Sequence, residues 1–181
     1  TYLDRERSTD EKLITKSQEK IKKQLEDQSE GDVFYNIEYS GLDLTGNRYI
    51  LKSKEATTNK SDQDIVNMKF VTATFYFKDG TVLTVSSNTG IYNNKSLDMF
   101  FYGNVEADYM ESKLSADKAE YSNTESFLVI SKDVIIEDVR GKMAADKLVF
   151  DIKKQTLKIA AFNDNKINAN INLKWKKVLE F

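Results

Sequence analysis

An eight-residue frame occurs three times at a spacing of 29, which limits the chain to an architecture built by stacking like units. The segment from Leu114 to Tyr121 (LSADKAEY) matches that from Met143 to Phe150 (MAADKLVF). A weaker copy runs from Val85 to Tyr92 (VSSNTGIY), with Asn88 where the others carry Asp117 and Asp146. After each closing aromatic comes a polar turn, at 93–96, 122–125 and 151–155, and then a strand-like run at 97–102, 127–131 and 156–161. A second polar break follows at Gly103-Asn104, Lys132-Asp133 and 163–165, with new strands expected from Val105, Val134 and Ile167. A ten-residue strand spans ~33 Å, and one such unit cannot bury its own apolar face, so neighbours must cover it. Within the frame the apolar parity slips: Leu114 and Ala116 share one parity, Ala119 and Tyr121 the other. Met143 and Ala145, then Leu148 and Phe150, repeat the slip. A bulge or a sheet-switching corner near Asp117 and Asp146 would produce it.

Period two also governs the residues before the repeat. Val71, Ala73, Phe75 and Phe77 share a parity, Asp79-Gly80 follows, and Leu83 and Val85 return, which is a strong short-range hairpin signal. The stretch from Leu42 to Tyr49 reads as strand, Gly46-containing turn and return strand. No segment beyond residue 33 holds a helical apolar stripe for three turns, so the domain is all-β. Residues 1–32 differ. They carry nine acidic and seven basic residues, with a thin stripe of Ile14, Ile21 and Leu25. That composition suits a short charged helix or a flexible tether ahead of the domain, and a solvated linker and a partner-binding helix both fit it. The expected organisation is a linker over 1–32, a β domain over 33–175 and a tail over 176–181. Trp175, at the end of that domain, with Val178 and Leu179 in the tail, suits either a small amphipathic cap or a frayed end.

Composition removes whole classes of chemistry. The chain has no His and no Cys, which excludes His-dependent triads, thiol catalysis and thiolate metal sites. A net charge of −2 provides no field to gather nucleic acid. A carboxylate-only enzyme would have to use the repeated Asp117 and Asp146. Their equivalence makes them turn or bulge residues, because a catalytic acid–base pair needs two different environments. No calcium-loop pattern appears, and no cofactor is expected.

The ordered words Gly103-Asn104-Val105 and Ala-Asp-Lys followed by an aromatic resemble the LptC/LptA/OstA-like lipopolysaccharide-transport domain. The opening from Tyr39 to Tyr49 (YSGLDLTGNRY), with Lys54-Glu55-Ala56 after it, resembles the start of LptC-type domains in particular. The resemblance spans about residues 33–172. It implies a twisted, open β-jellyroll of stacked antiparallel strands and no catalysis. It also implies lipopolysaccharide as ligand, LptF/LptG transporter subunits at the N-terminal edge and an LptA-like bridge at the C-terminal edge. The implied location is the periplasm, anchored to the inner membrane by a helix upstream of Thr1. An LptA-like soluble bridge is the alternative if a cleaved signal stood there instead, and a purely structural β-solenoid is a third reading.

An open sandwich leaves an apolar gutter, and each acyl CH₂ buried in it gains ~0.8 kcal/mol. The same-parity sets nominate the lining: Val71, Ala73, Phe75, Phe77, Leu83, Val85, Met99, Phe101, Leu128, Ile130, Ile136, Leu157, Ile159, Ile167, Ala169 and Ile171. Each of these fits ordinary core as well as lipid contact. Two strands suit pairing with partners. One carries Phe34, Tyr35, Ile37 and Tyr39 with little guarding charge, and the other presents Asn168, Asn170 and Asn172 on its outer parity. A plain terminal strand would fit the second equally well.

Overall fold

The computed structural model describes residues 31–160 and 173–174. They form one antiparallel sheet in simple sequence order. Its strands are β1 (Val33–Leu42), β2 (Arg48–Thr58), β3 (Ile65–Tyr76), β4 (Val82–Asn93), β5 (Met99–Tyr109), β6 (Ser112–Ser122), β7 (Phe127–Asp138), β8 (Gly141–Asp151), β9 (Thr156–Ala160) and β10 (Leu173–Lys174). No helix occurs among the described residues. The all-β reading and the jellyroll-like stacking of the repeat are therefore both present. The helix-or-tether assignment for 1–32, the break at 163–165, the strand beginning at Ile167 and the assignment of 176–181 lie outside the described residues, apart from Gly31 and Asp32.

Local chemistry sets the turns. In the β1–β2 turn Asp43 Oδ1 accepts the Thr45 and Asn47 backbone N–H groups at 2.9 and 2.8 Å, and Gly46 takes φ +81°. In the β3–β4 turn the Phe77 and Gly80 N–H groups bond to Thr81 O and Phe77 O, each at 3.0 Å, and Gly80 sits at φ +85°. The repeat's polar turns share one mechanism. Asn93, Ser122 and Asp151 each use a side-chain oxygen to accept an N–H two or three residues on. Each of these turns ends on a residue with left-handed backbone, Leu97 (φ +65°), Ser126 (+58°) and Gln155 (+49°), spaced by 29. The 29-residue period therefore lives in the backbone as well as in the letters.

Midway along, the strands are interrupted in a line that crosses the sheet. The registers shift between Ser86 and Thr89, Tyr102 and Val105, Ser115 and Lys118, and Ser131 and Val134. On β1, β3, β5 and β7 the line carries positive φ at Asn36, Phe70, Gly103-Asn104 and Lys132-Asp133. On β6 and β8 it falls beside Asp117 and Asp146, where the buried parity slips as the sequence suggested. One expectation differs: the polar breaks at 103–104 and 132–133 do not end strands. Two residues in the left-handed region form a bulge there, and ladder pairing resumes on the far side.

The bulge line lets each half of the sheet face the other. Phe75, in the first half of the curl, packs on Tyr121, in the second, at a centroid separation of 5.0 Å. Phe77 packs on Phe150 at 6.2 Å, and Tyr39 on Tyr92 at 5.0 Å. None of these pairs lies on neighbouring strands, so the contacts require a coiled sheet. One continuous apolar core fills the coil, from Tyr49 and Leu51 on β2 to Leu157 on β9.

Candidate functional site: the apolar interior and its edges

Twelve of the lining candidates meet in that single core: Val71, Ala73, Phe75, Phe77, Leu83, Val85, Met99, Phe101, Leu128, Ile130, Ile136 and Leu157 are all buried. Ile159 is partly buried and packs against the core. Ile167, Ala169 and Ile171 lie outside the described residues. The same-parity sets left out other members of the core. Tyr49, Leu51, Tyr92, Tyr121, Leu148 and Phe150 are buried in the same cluster. The signal that finds Tyr121, Leu148 and Phe150 is the parity slip itself, carried across the bulge.

The interior is filled by its own side chains. A cavity of about 10 Å³, room for about one water molecule, lies among Leu83, Ala107, Tyr109, Leu114, Leu128, Ile130, Phe150 and Leu157. The coil has not left an empty gutter because both halves of every bent strand contribute large side chains. Burial loosens toward the start of β8, where Met143 is 38% exposed.

The first edge is uncovered among the described residues, since β1 pairs only with β2. Its four candidates divide. Phe34 and Tyr35 are exposed, Tyr35 at 66%, whereas Ile37 and Tyr39 pack against the core. At the other edge β10 pairs with β9 through Leu173 opposite Leu157. Asn168, Asn170 and Asn172 lie outside the described residues.

Three buried phenols of the interior are tied into hydrogen bonds. The Tyr49 and Tyr92 hydroxyls share a 3.0 Å hydrogen bond, and Tyr121 donates to Asn123 Oδ1 at 3.1 Å. Burial pushes the Tyr92 and Tyr121 phenols well above the ordinary tyrosine range, with the Tyr49 hydrogen bond adding at Tyr92 and the Asp43 carboxylate at Tyr121. The unfolded chain releases these protons above about pH 10 while the fold retains them. Stability is therefore complete below that pH and falls as pH rises past it, by up to about 1.4 kcal/mol per pH unit for each phenol. Urea midpoints measured between about pH 9 and 11 should fall, and Tyr121→Phe should flatten the slope. A constant midpoint in the parent protein would contradict this account.

On the opposite face of β6, Lys118 and Glu120 are both buried and form an ion pair. They stand across from Tyr102 and Phe100 on β5 and from Ser131 and Val129 on β7. No group of three acidic residues positioned to hold a metal occurs among the described residues. Asp117 and Asp146 sit at the bulge line and are exposed.

One coiled antiparallel sheet, a continuous apolar core and a first strand uncovered among the described residues define a jellyroll-like β protein. The family described as lipopolysaccharide-assembly, LptC-related, matches residues 10–161. The chain belongs to this LptC-related family. No curated protein matches it. Membership assigns a role in lipopolysaccharide transport, and with it interaction with lipopolysaccharide and the Lpt transport system. The family is a periplasmic, inner-membrane-associated transport component rather than one known for catalysis. Among the described residues no helix is long and apolar enough to cross a membrane.

Proposed function

We propose that the chain is a non-catalytic carrier that receives lipopolysaccharide from the inner-membrane transporter and passes it along its apolar interior to an LptA-like periplasmic bridge. The observation that carries this reading is the unbroken apolar interior running from β2 to β9 in a sheet whose first strand is uncovered among the described residues. Acyl chains entering it replace side-chain contacts with contacts of their own, each buried CH₂ contributing ~0.8 kcal/mol, while the charged headgroup stays in water. The exposed Phe34 and Tyr35 on β1 suit strand addition by the LptF/LptG subunits. In this reading the C-terminal segment with Asn168, Asn170 and Asn172 meets the LptA-like partner. A joint of about five backbone hydrogen bonds at ~0.5–1.5 kcal/mol each is firm enough to form and weak enough to renew.

The filled interior also fits a second reading, a structural β-solenoid that binds no lipid. A light-activated crosslinking residue separates the two. At Phe75 or Ile159, both on the interior parity, it should capture lipopolysaccharide, and at the outward Thr74 or Lys158 it should not. Adducts at the outward sites alone would reject the carrier and leave the solenoid.

A further inference from the structure

The bend in the sheet brings two rows of turns together that a flat sheet would hold at opposite ends. One row holds the β1–β2, β3–β4, β5–β6 and β7–β8 turns, and the other holds the β2–β3, β4–β5, β6–β7 and β8–β9 turns. Backbone ladders bind neighbouring strands, but they do not run between these two lips, so side chains close the seam. At Gln155, in the β8–β9 turn, the closure is polar. The Gln155 amide oxygen accepts the Tyr109 hydroxyl at 2.9 Å and lies 3.0 Å from the Thr81 hydroxyl in the opposite lip. The Thr81 proton is shared with Asp79 Oδ1, 2.6 Å away.

Two further observations single out this contact. The first is the repeat. Leu97, Ser126 and Gln155 occupy the same left-handed turn position 29 residues apart. Leu97 packs against the core, and Ser126 is buried and bonds within its own turn to Asn123 O. In the third copy the side chain at this position hydrogen-bonds across the seam. The second is the cavity, which lies directly behind the contact. Tyr109 lines it and also donates to Gln155, while Leu83 and Leu157 stand two residues from Thr81 and Gln155. The cavity is thus next to a closure made of hydrogen bonds among the partly exposed Thr81 and Gln155 and the buried Tyr109.

We infer that the seam between the two rows of turns is the side entrance for acyl chains and that Gln155, held by Thr81 and Tyr109, is its latch. This rests on the carrier reading above. Parting the lips here breaks these hydrogen bonds and draws Phe77 and Tyr109 away from Phe150, contacts that entering acyl chains would replace, and it leaves the sheet ladders intact. It also opens onto the cavity.

The absence of cysteine permits a clean test in the full chain. Thr81→Cys with Gln155→Cys, joined by a thiol-cleavable bismaleimide, locks the seam. Asp64→Cys with Lys95→Cys, joined likewise, links two neighbouring turns of one lip and serves as control; Asn94 N–H already bonds to Asp64 O there at 2.7 Å. Loading is read with fluorescent purified lipopolysaccharide. The locked seam should load at least about tenfold more slowly, recovering on cleavage, and the one-lip link should load normally. Gln155→Ala should load about fivefold faster, the factor one typical hydrogen bond makes. Equal loading by locked and cleaved protein, or equal slowing by the control link, would overturn the latch while the carrier reading stood. No loading by the parent protein would overturn the carrier reading, and the latch with it.

Discussion

Phe75→Ala is expected to destabilise the protein by about 3–5 kcal/mol, the range for deleting a fully buried phenylalanine in a core that relaxes only in part. Phe75 has no exposed surface and sits between Tyr49 at 6.2 Å and Tyr121 at 5.0 Å, so its ring is where the two halves of the coil meet. Removing it leaves a void bounded by backbone that the sheet ladders hold in place. In a chain of this size that loss corresponds to a melting temperature lower by roughly 6–20 °C. Phe75→Leu keeps most of the volume and should cost clearly less. A loss below about 1 kcal/mol for the alanine variant in urea titrations would mean that the halves are not pressed together at this ring.

Glu120→Ala is expected to cost about 3–5 kcal/mol, because it leaves the Lys118 ammonium buried without its counter-charge. The neighbouring residues deepen the penalty. Phe100 and Val129 stand opposite Glu120 and offer no acceptor to replace the carboxylate. The Tyr102 hydroxyl beside them is itself buried without a hydrogen-bond partner, and burial, with Glu120 adding to it, pushes its phenol up. Replacing both members, Lys118→Met with Glu120→Leu, removes the desolvation cost along with the attraction, and should return stability to near or above the parent value. If the double variant is as unstable as the single one, the pair's contribution does not come from charge compensation. Chemical denaturation of the three proteins decides the point.

The tight turns, the strand faces and the bulge positions were legible in the residues because each depends on chemistry within a few positions of itself. Asp79-Gly80 announced the β3–β4 hairpin. The parity slip at Asp117 and Asp146 announced the register shifts, whose extra residues lie on the neighbouring β5 and β7. The core was legible only in part. On β5 and β7 the two-residue bulge keeps one parity buried from end to end, Met99 to Tyr109 and Leu128 to Ile136, whereas on β4, β6 and β8 the buried parity changes at the bulge line, so counting by twos from Val85 does not lead to Tyr92.

By itself, then, the sequence determined the period, the repeat, the positions of the turns and the side of each half-strand that seeks burial. Side-chain alternation and local hydrogen bonding fix those features over a handful of residues. Only the tertiary structure decided that the two halves press against each other and fill the interior, that Tyr49 meets Tyr92, and that Gln155 reaches Thr81. The last contact spans 74 residues. Bends accumulated over successive strands bring its partners together, and no spacing within one unit records that sum.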